Sequence, residues 1–582
     1  MFLLHLDIVD MKFKKFIENY FPDINLVDFN SIDLSNQWIH QDKKNFNEVL
    51  SWPPNVFIIL YSLLEYTDKY RLLVSPQEHF IWEQDHKHSV EQLSADWLAL
   101  ITNQLSEDKK RLSFIFLLYN LGNVFNQTNF SKGIYDLMNE KDFSLSVFLL
   151  VISIDELFSN VNICNYKFEN KLEVSLLIRD LTSNPKLRNN LADVECKLGY
   201  VTFKTKVPQS GLTINNLTRN LTCVKPSVSP TIIKNKREKK HFNNKTYNIL
   251  FLPWPLVVND LAFRPVETPI DKVMDDYFGF FEYSPSEKLS SSDFVVAIIS
   301  AIKNAGSIDL IVLPECALDE VTYGRFKDLL FDLFGEDAPS LLSGVYGHDE
   351  NSGKNIAKLS FIGESGSFDT VDQNKHHRWF LDNSQLRNYN LSNALDPSRK
   401  WWENIPVGRR NLVSLHTPNG VRLCPLICED LARQEPVAQA VRAVGPNLVV
   451  SLLLDGPQLK DRWPGKYSAV LSDDPGASVL SVTALGMTLR STGLGYAPSR
   501  VVGLWSEPGG ISETLEMKDE GLGIIIGLEL VDEKMWTIDG RSSDTPVLRK
   551  KFHTTLMSDY ADVNNSKLPY YKRQLQDILK RR

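Results

Sequence analysis

Val421-Arg-Leu-Cys-Pro-Leu-Ile-Cys-Glu-Asp430 is the stretch from which the rest of this chain can be read. It is a short apolar run that stops at a cysteine followed by two acids. Such a run reads as a buried strand, and the ends of strands are where α/β folds present reactive side chains. Cys428 is therefore the first candidate for a nucleophile. A thiol attacks as its thiolate, and two acids directly after it raise its pKa. A cation and a proton acceptor must come from elsewhere in the chain.

Two upstream stretches supply them. Ile308-Asp-Leu-Ile-Val-Leu-Pro-Glu315 is a second apolar strand ending in a carboxylate, and Asp372-Gln-Asn-Lys-His-His-Arg378 holds a lysine in a polar segment. Glu, Lys and Cys in three separate segments resemble the carbon–nitrogen hydrolase (nitrilase) superfamily. The resemblance runs from Tyr247 to Arg549, about half of the chain, and implies a four-layer αββα sandwich. Glu315, Lys375 and Cys428 fall on the family's catalytic positions, 60 and 53 residues apart, which is ordinary for it. Trp402-Glu-Asn-Ile-Pro406 resembles the family's Glu-x-x-Pro segment, with Trp402 in place of the usual Gly. Glu403 would then be a second glutamate that orients the lysine and the substrate.

The chemistry such a site must perform is attack on a resistant amide or nitrile carbon. Thiolate addition gives a thioester or thioimidate and divides the reaction into two easier steps. Glu315 is the expected acceptor of the thiol proton and later the activator of water. Lys375 and the backbone N–H of Glu429 are the expected donors to the developing negative charge. Lys375 is also expected to help hold Cys428 as thiolate. No metal or organic cofactor is needed for this chemistry. Cys316, beside Glu315, reads as packing. His376 and His377 offer a Cys–His alternative but lack an evident orienting acid.

Departures from the family pattern bear on the substrate. Leu426-Ile-Cys-Glu-Asp430 is closest to the Cys-Glu-Asp version of glutamine-hydrolysing branches, including the glutaminase part of glutamine-dependent NAD synthetases. The synthetases' Ser-Gly-Gly-x-Asp-Ser motif is absent. After the strand Val449-Val-Ser-Leu-Leu-Leu454 the family's usual Asn is replaced, and Asp455 stands at the strand end as a candidate substrate-binding residue. An acid there favours a cationic or hydrogen-bond-donating substrate; a surface-loop Asp before Gly456-Pro457 is the alternative.

Length and composition fit this reading. A chain of 582 residues is too long for one ordinary domain. Hydrophobic content of 43% and charged content of 23% are those of a globular protein, and a net charge of −8 gives no global pull toward nucleic acid. The six cysteines form no C-x-x-C pair, so a reducing cytoplasm is the simpler expectation and no metal site is expected. The N-terminus lacks a basic n-region, and the apolar run Phe143 to Ile154 is too short to cross a membrane.

The organisation expected is a mainly helical domain over 1–209, a polar and basic linker over 210–245, a nitrilase-like α/β domain over 246–549, and a tail over 550–582 with a short basic helix. Apolar residues at helical spacing mark Lys12–Phe21, Phe46–Tyr66, Val90–Gln104, Lys109–Phe125, Ile134–Phe158 and Lys171–Val194, with Ser51-Trp-Pro-Pro54 breaking the second. Lys234-Asn-Lys-Arg-Glu-Lys-Lys240 reads as a solvated basic run. The leading reading is thus a thiol-dependent hydrolase of a small amide or nitrile. The resemblance implies a homo-oligomer, and the helical domain is available to a protein partner. The alternatives are a catalytically silent nitrilase-fold assembly or effector protein, conceivably in prokaryotic defence, and a glutaminase supplying ammonia to a partner.

Overall fold

A computed structural model of the chain describes residues 11–29, 44–102, 114–159, 189–208, 211–235, 245–267, 269–271, 275–349, 352–408 and 410–581. The backbone divides into two compact units. The first comprises Met1–Ile232 with Arg442–Gly445 and Lys534–Thr545; the second comprises Ile233–Val441, Pro446–Glu533 and Pro546–Arg582. Among the described residues no helix is long and apolar enough to cross a membrane.

The first unit is centred on helices Pro53–Thr67 and Lys141–Leu157, whose side chains are buried on almost every face. A helix that is apolar all round has to lie inside a core. Phe13, Phe46, Trp97 and Leu117, from four further helices, enter the same cluster. The break expected at Ser51-Trp-Pro-Pro54 is there: Trp52 is extended, and Pro53 opens the next helix at a position that needs no N–H. Asp155 is fully buried, accepts the backbone N–H groups of Arg219, Asn220 and Leu221, and pairs with Arg541 at 3.0 Å. Such company is what a buried carboxylate requires. Of the helix expected over 171–194, residues 171–188 lie outside the described residues, and 189–194 are not helical. The stretch expected to be linker carries two strands, Leu221–Val224 and Val228–Lys234. Residues 236–244, with most of the basic run, are outside the described residues.

The second unit is α/β and holds two seven-stranded mixed sheets. The first runs in the order Phe368–Asn374, Ser352–Ile362, Ser340–Asp349, Leu310–Asp319, Thr246–Phe251, Gly523–Trp536, Ser542–Leu556. The second runs Ile511–Glu516, Val501–Glu507, Ser478–Thr483, Leu448–Leu453, Arg422–Ile427, Arg410–His416 and then the strand that ends at Lys234. Strand alternation sorts the side chains by face. Ile249, Phe251, Leu310 and Val312 pack with Leu423, Ile427, Val450, Leu452, Leu480 and Val482 of the other sheet. Their neighbours Leu250, Ile311 and Leu313 point the other way, onto helices Ser291–Ala305 and Glu320–Phe334. Both faces of these strands are thus covered, which is why they read as unbroken apolar runs. Phe294 and Phe326 stack at 4.2 Å between the two helices, and Asp319 caps the second by accepting from Thr322 N at 2.7 Å, worth about 1 kcal/mol.

The C-terminal region differs from expectation. Ser542–Leu556 is an edge strand of the first sheet, so a boundary at 549/550 would cut a strand. The basic helix forms over Leu568–Lys580 and buries Tyr571 and Leu575 in the same cluster as Ser291–Ala305.

Candidate active site

The site gathers at strand ends, and a local distortion delivers each main residue. In the first sheet Leu313 pairs with Ser343 and Leu318 with Val345, so Pro314–Ala317 stand against Gly344 alone. This bulge swings Glu315 out of the ladder. It also puts Cys316 in the left-handed region, at φ 51°. Gly344 makes room for it: a Cβ there would lie 2.4 Å from the Cα of Glu315 and 2.4 Å from the N of Cys316. In the second sheet Arg422–Ile427 runs parallel to Leu448–Leu453, and Cys428 follows at once in a tight turn over Cys428–Ala432. Cys428 has φ 47°, a conformation that costs a non-glycine residue roughly 1 kcal/mol or more.

Glu315, Lys375 and Cys428, far apart in sequence, are all buried, at 1%, 2% and 2% exposure, and Cys428 lies within electrostatic reach of the other two. Lys375 Nζ lies 2.7 Å from Glu315 Oε1 and 2.6 Å from Glu403 Oε2. Burial opposes the charge on Lys375, but Glu315 and Glu403 outweigh it and hold its pKa well above the ordinary lysine value. Burial pushes the Glu315 carboxyl up and Glu403 adds to this, against the pull of Lys375. Glu315 Oε2 is buried, with no hydrogen-bond partner among the described residues.

Lys375 acts on Cys428 in the expected direction, but the net shift runs the other way. Burial pushes the thiol well above its ordinary value, Glu315, Glu429 and Asp455 push the same way, and Lys375 offsets only part of this. The lysine's charge is already committed to two glutamates. Burial and the neighbouring acids thus favour the neutral form of the thiol.

Residues outside the sequence reading complete the site. Asn355 Nδ2 donates to Glu315 Oε1 at 2.7 Å and to Glu403 Oε1 at 2.6 Å, and so bridges the two acids that flank Lys375. Gln373 is fully buried two residues before Lys375. It donates to Pro425 O of the nucleophile's strand at 2.7 Å and accepts from Val413 N at 2.8 Å, tying the lysine's strand to the other sheet. Asp430, two residues after the nucleophile, accepts the backbone N–H of His376 and lies 2.8 Å from His377 Nδ1. The orienting acid missing from the sequence reading thus exists. It anchors the segment that carries Lys375 onto the turn that carries Cys428. Among the described residues no hydrogen bond joins either imidazole to Cys428.

Glu403 sits on the short strand Lys400–Glu403, paired in parallel with Phe278–Tyr283, and accepts from Trp379 N at 3.0 Å. The Trp379 ring packs on Tyr389 at 5.7 Å, and the Tyr389 hydroxyl donates to Asp455. Asp455 is buried rather than on a surface loop, and it pairs with Arg462 at 2.9 Å. Its charge therefore has a partner within the protein. Glu429 is half-buried and paired with Arg433, leaving its N–H as the feature of interest. Cys316 is buried in an aromatic cluster with Phe281, Tyr283 and Trp379.

No family model matches the chain, and no curated protein matches it. Among solved structures it is similar to members of the nitrilase, or carbon–nitrogen hydrolase, superfamily, over about half of its length. One is Saccharomyces cerevisiae Nit3, described as a member of branch 10 of that superfamily, at 13% identity, covering 49% of this chain and 90% of Nit3, with a TM-score of 0.30. Another is an amidase from Nesterenkonia sp., at 11% identity, covering 56% and 97% of the two chains, with a TM-score of 0.25. A glutamine-dependent NAD+ synthetase from Acinetobacter baumannii is similar at 10% identity, covering 56% of this chain and 50% of the synthetase, with a TM-score of 0.26. What the site can do follows from its own side chains.

Proposed function

We propose that this chain is a thiol-dependent hydrolase of non-peptide carbon–nitrogen bonds, amide or nitrile, on a four-layer αββα sandwich of the nitrilase kind. The observation that carries the reading is the convergence of three distant segments. Lys375 is clamped between Glu315 and Glu403, and Cys428, buried and within electrostatic reach of it, sits on a strained turn at a strand end. A fold holds a buried lysine, two glutamates and a left-handed cysteine together at a cost, and such costs concentrate where chemistry is done.

For an amide the steps balance as follows. Cys428 Sγ adds to the carbonyl carbon as its proton passes to Glu315, whose pKa, raised by burial and by Glu403, makes it a stronger proton acceptor than an ordinary glutamate. Because the neutral thiol is favoured, proton transfer accompanies attack. The oxyanion is met by Lys375 and the N–H of Glu429, charges and dipoles fixed in advance in a dry site. Glu315 returns the proton to the leaving nitrogen, the C–N bond breaks, and ammonia or an amine departs from a thioester. Water then adds, its proton taken by Glu315; the C–S bond breaks, and the proton returns to the thiol. A nitrile enters the same route through a thioimidate. Glu403 and Asn355 hold Lys375 and Glu315 in register throughout. In this reading the substrate is a small molecule, the enzyme is a cytoplasmic homo-oligomer, and the helical unit serves a protein partner or regulation.

The test is ammonia release from amides, nitriles, carbamoyl compounds and glutamine, comparing wild type with Cys428→Ala. Release that vanishes in the variant supports the hydrolase. Release that persists in it overturns the thiol mechanism; absence of release across every compound class overturns the reading in favour of a silent assembly protein. Release from glutamine alone would point to a glutaminase.

A further inference from the structure

Asp455 leaves the carboxyl end of Leu448–Leu453, the parallel neighbour of the strand that delivers Cys428, with Leu452 opposite Ile427 in the register. Its backbone is pinned to the next strand: Asp455 N donates to Thr483 Oγ1 at 3.0 Å, and Thr483 Oγ1 donates back to Asp455 O at 2.7 Å. Three parallel strand ends thus fix this carboxylate beside the nucleophile, at the place where open α/β sheets bind ligands.

Its two oxygens are treated differently. Oδ1 is crowded, accepting from Tyr389 OH, from Gly456 N at 2.7 Å and from Arg462 Nη2 at 2.9 Å. Oδ2 is buried, and among the described residues no group donates to it. A buried carboxylate oxygen without a donor costs free energy. Packing that surrounds one oxygen with three donors and spares the other leaves an acceptor for a ligand. Arg462 also matters to the charge. It already neutralises Asp455, so a cationic ligand would gain little there and would face the guanidinium.

Resting on the hydrolase reading, we propose that Asp455 Oδ2 is a specificity-determining acceptor, and that it selects substrates whose non-reacting tail is neutral and carries an N–H or O–H donor, such as a primary carboxamide, ureido or hydroxyl group. Cationic tails are not favoured, because Arg462 occupies that role. An anionic tail meets the bare oxygen and is rejected.

Four chloroacetamides test this without requiring turnover. They share one electrophile and differ in the N-substituent: 2-carbamoylethyl, n-butyl, 2-aminoethyl and 2-carboxyethyl. Alkylation of Cys428 in the full chain is followed by peptide mass spectrometry, with each rate divided by that of the same reagent with glutathione. The carbamoyl reagent is expected to exceed the butyl one about tenfold, the value of one hydrogen bond to a charged acceptor, with amino and carboxy tails no faster than butyl. Asp455→Leu should make carbamoyl and butyl equal. Arg462→Met, at a partly exposed position, should turn the preference toward the amino tail. An amino tail that is fastest in wild type, a carbamoyl preference that survives Asp455→Leu, or no dependence on the tail at all would overturn the proposal. Failure of ammonia release would instead count against the hydrolase and leave the tail preference standing.

Discussion

A Cβ on Gly344 would stand 2.4 Å from the Cα of Glu315. The position of the expected general base therefore depends on the absence of a side chain at Gly344. The atoms in the way are backbone, which cannot rotate aside. Gly344→Ala should push the Pro314–Ala317 bulge outward, costing about 1–3 kcal/mol as overpacking does, and should abolish hydrolysis while the fold persists. Urea unfolding and ammonia release measured on one preparation check this. Wild-type activity in Gly344→Ala would show that Glu315 does not depend on the bulge.

Asn355 supplies one donor to each glutamate. Asn355→Ala takes the donor from Glu403 Oε1 and leaves Glu315 Oε1 to Lys375 alone, at about 1–3 kcal/mol for the one unsatisfied group. A fall in unfolding free energy of that size at pH 7 is the expected result. Asn355→Asp should be worse, because a third acid would face Glu315 and Glu403.

The titration directions predict two pH effects. Glu315 must be ionised to take the thiol proton, and its pKa is raised by burial and by Glu403. The acid limb of kcat/KM should therefore lie above the ordinary glutamate value, and a limb at or below that value would contradict Glu315 as the base. Linkage has the matching sign. A raised folded-state pKa gives stability that is present below the unfolded value and is lost as pH rises through the folded one. Alkylation of Cys428 by iodoacetamide should keep accelerating with pH through and beyond the ordinary thiol range, because burial holds that thiol up. A plateau near neutral pH would mean that Lys375 stabilises a resting thiolate after all.

Cys428 at φ 47° reverses the usual rule for glycine. Elsewhere Gly in place of Ala loosens a chain; in the left-handed region it relieves strain. Cys428→Gly should unfold at a temperature equal to or above that of Cys428→Ala, with both inactive. A clearly lower Tm for the glycine variant would contradict the strained turn.

How far the sequence could be read depended on how each residue is held. Glu315 and Cys428 stand out because a continuous apolar run ends in a polar reactive group, and burial on both faces makes such runs conspicuous. Lys375 and Glu403 needed the family resemblance, since a lysine in a polar segment and a glutamate on a four-residue strand carry no local signal. Asn355 escaped because it lies near the start of the strand Ser352–Ile362, where Lys354 and Asn355 break the apolar pattern. Asp430 and His377 are 53 residues apart, and only the packing of the two segments brings them together. The strands Ile511–Glu516 and Ser542–Leu556 lie at sheet edges, where half-exposed charged side chains hide the strand period. The left-handed turns at Cys316 and Cys428 had no glycine to announce them.

The central claim is that Cys428 forms and breaks a covalent bond with the substrate carbon. With any amide that releases ammonia, the most direct measurement is the mass of the Cys428 peptide from protein quenched in acid during turnover. The account predicts an acyl adduct on that peptide, absent from Cys428→Ala and from Glu315→Gln. Ammonia release that continues undiminished in Cys428→Ala, with no adduct on the wild-type peptide, would contradict it.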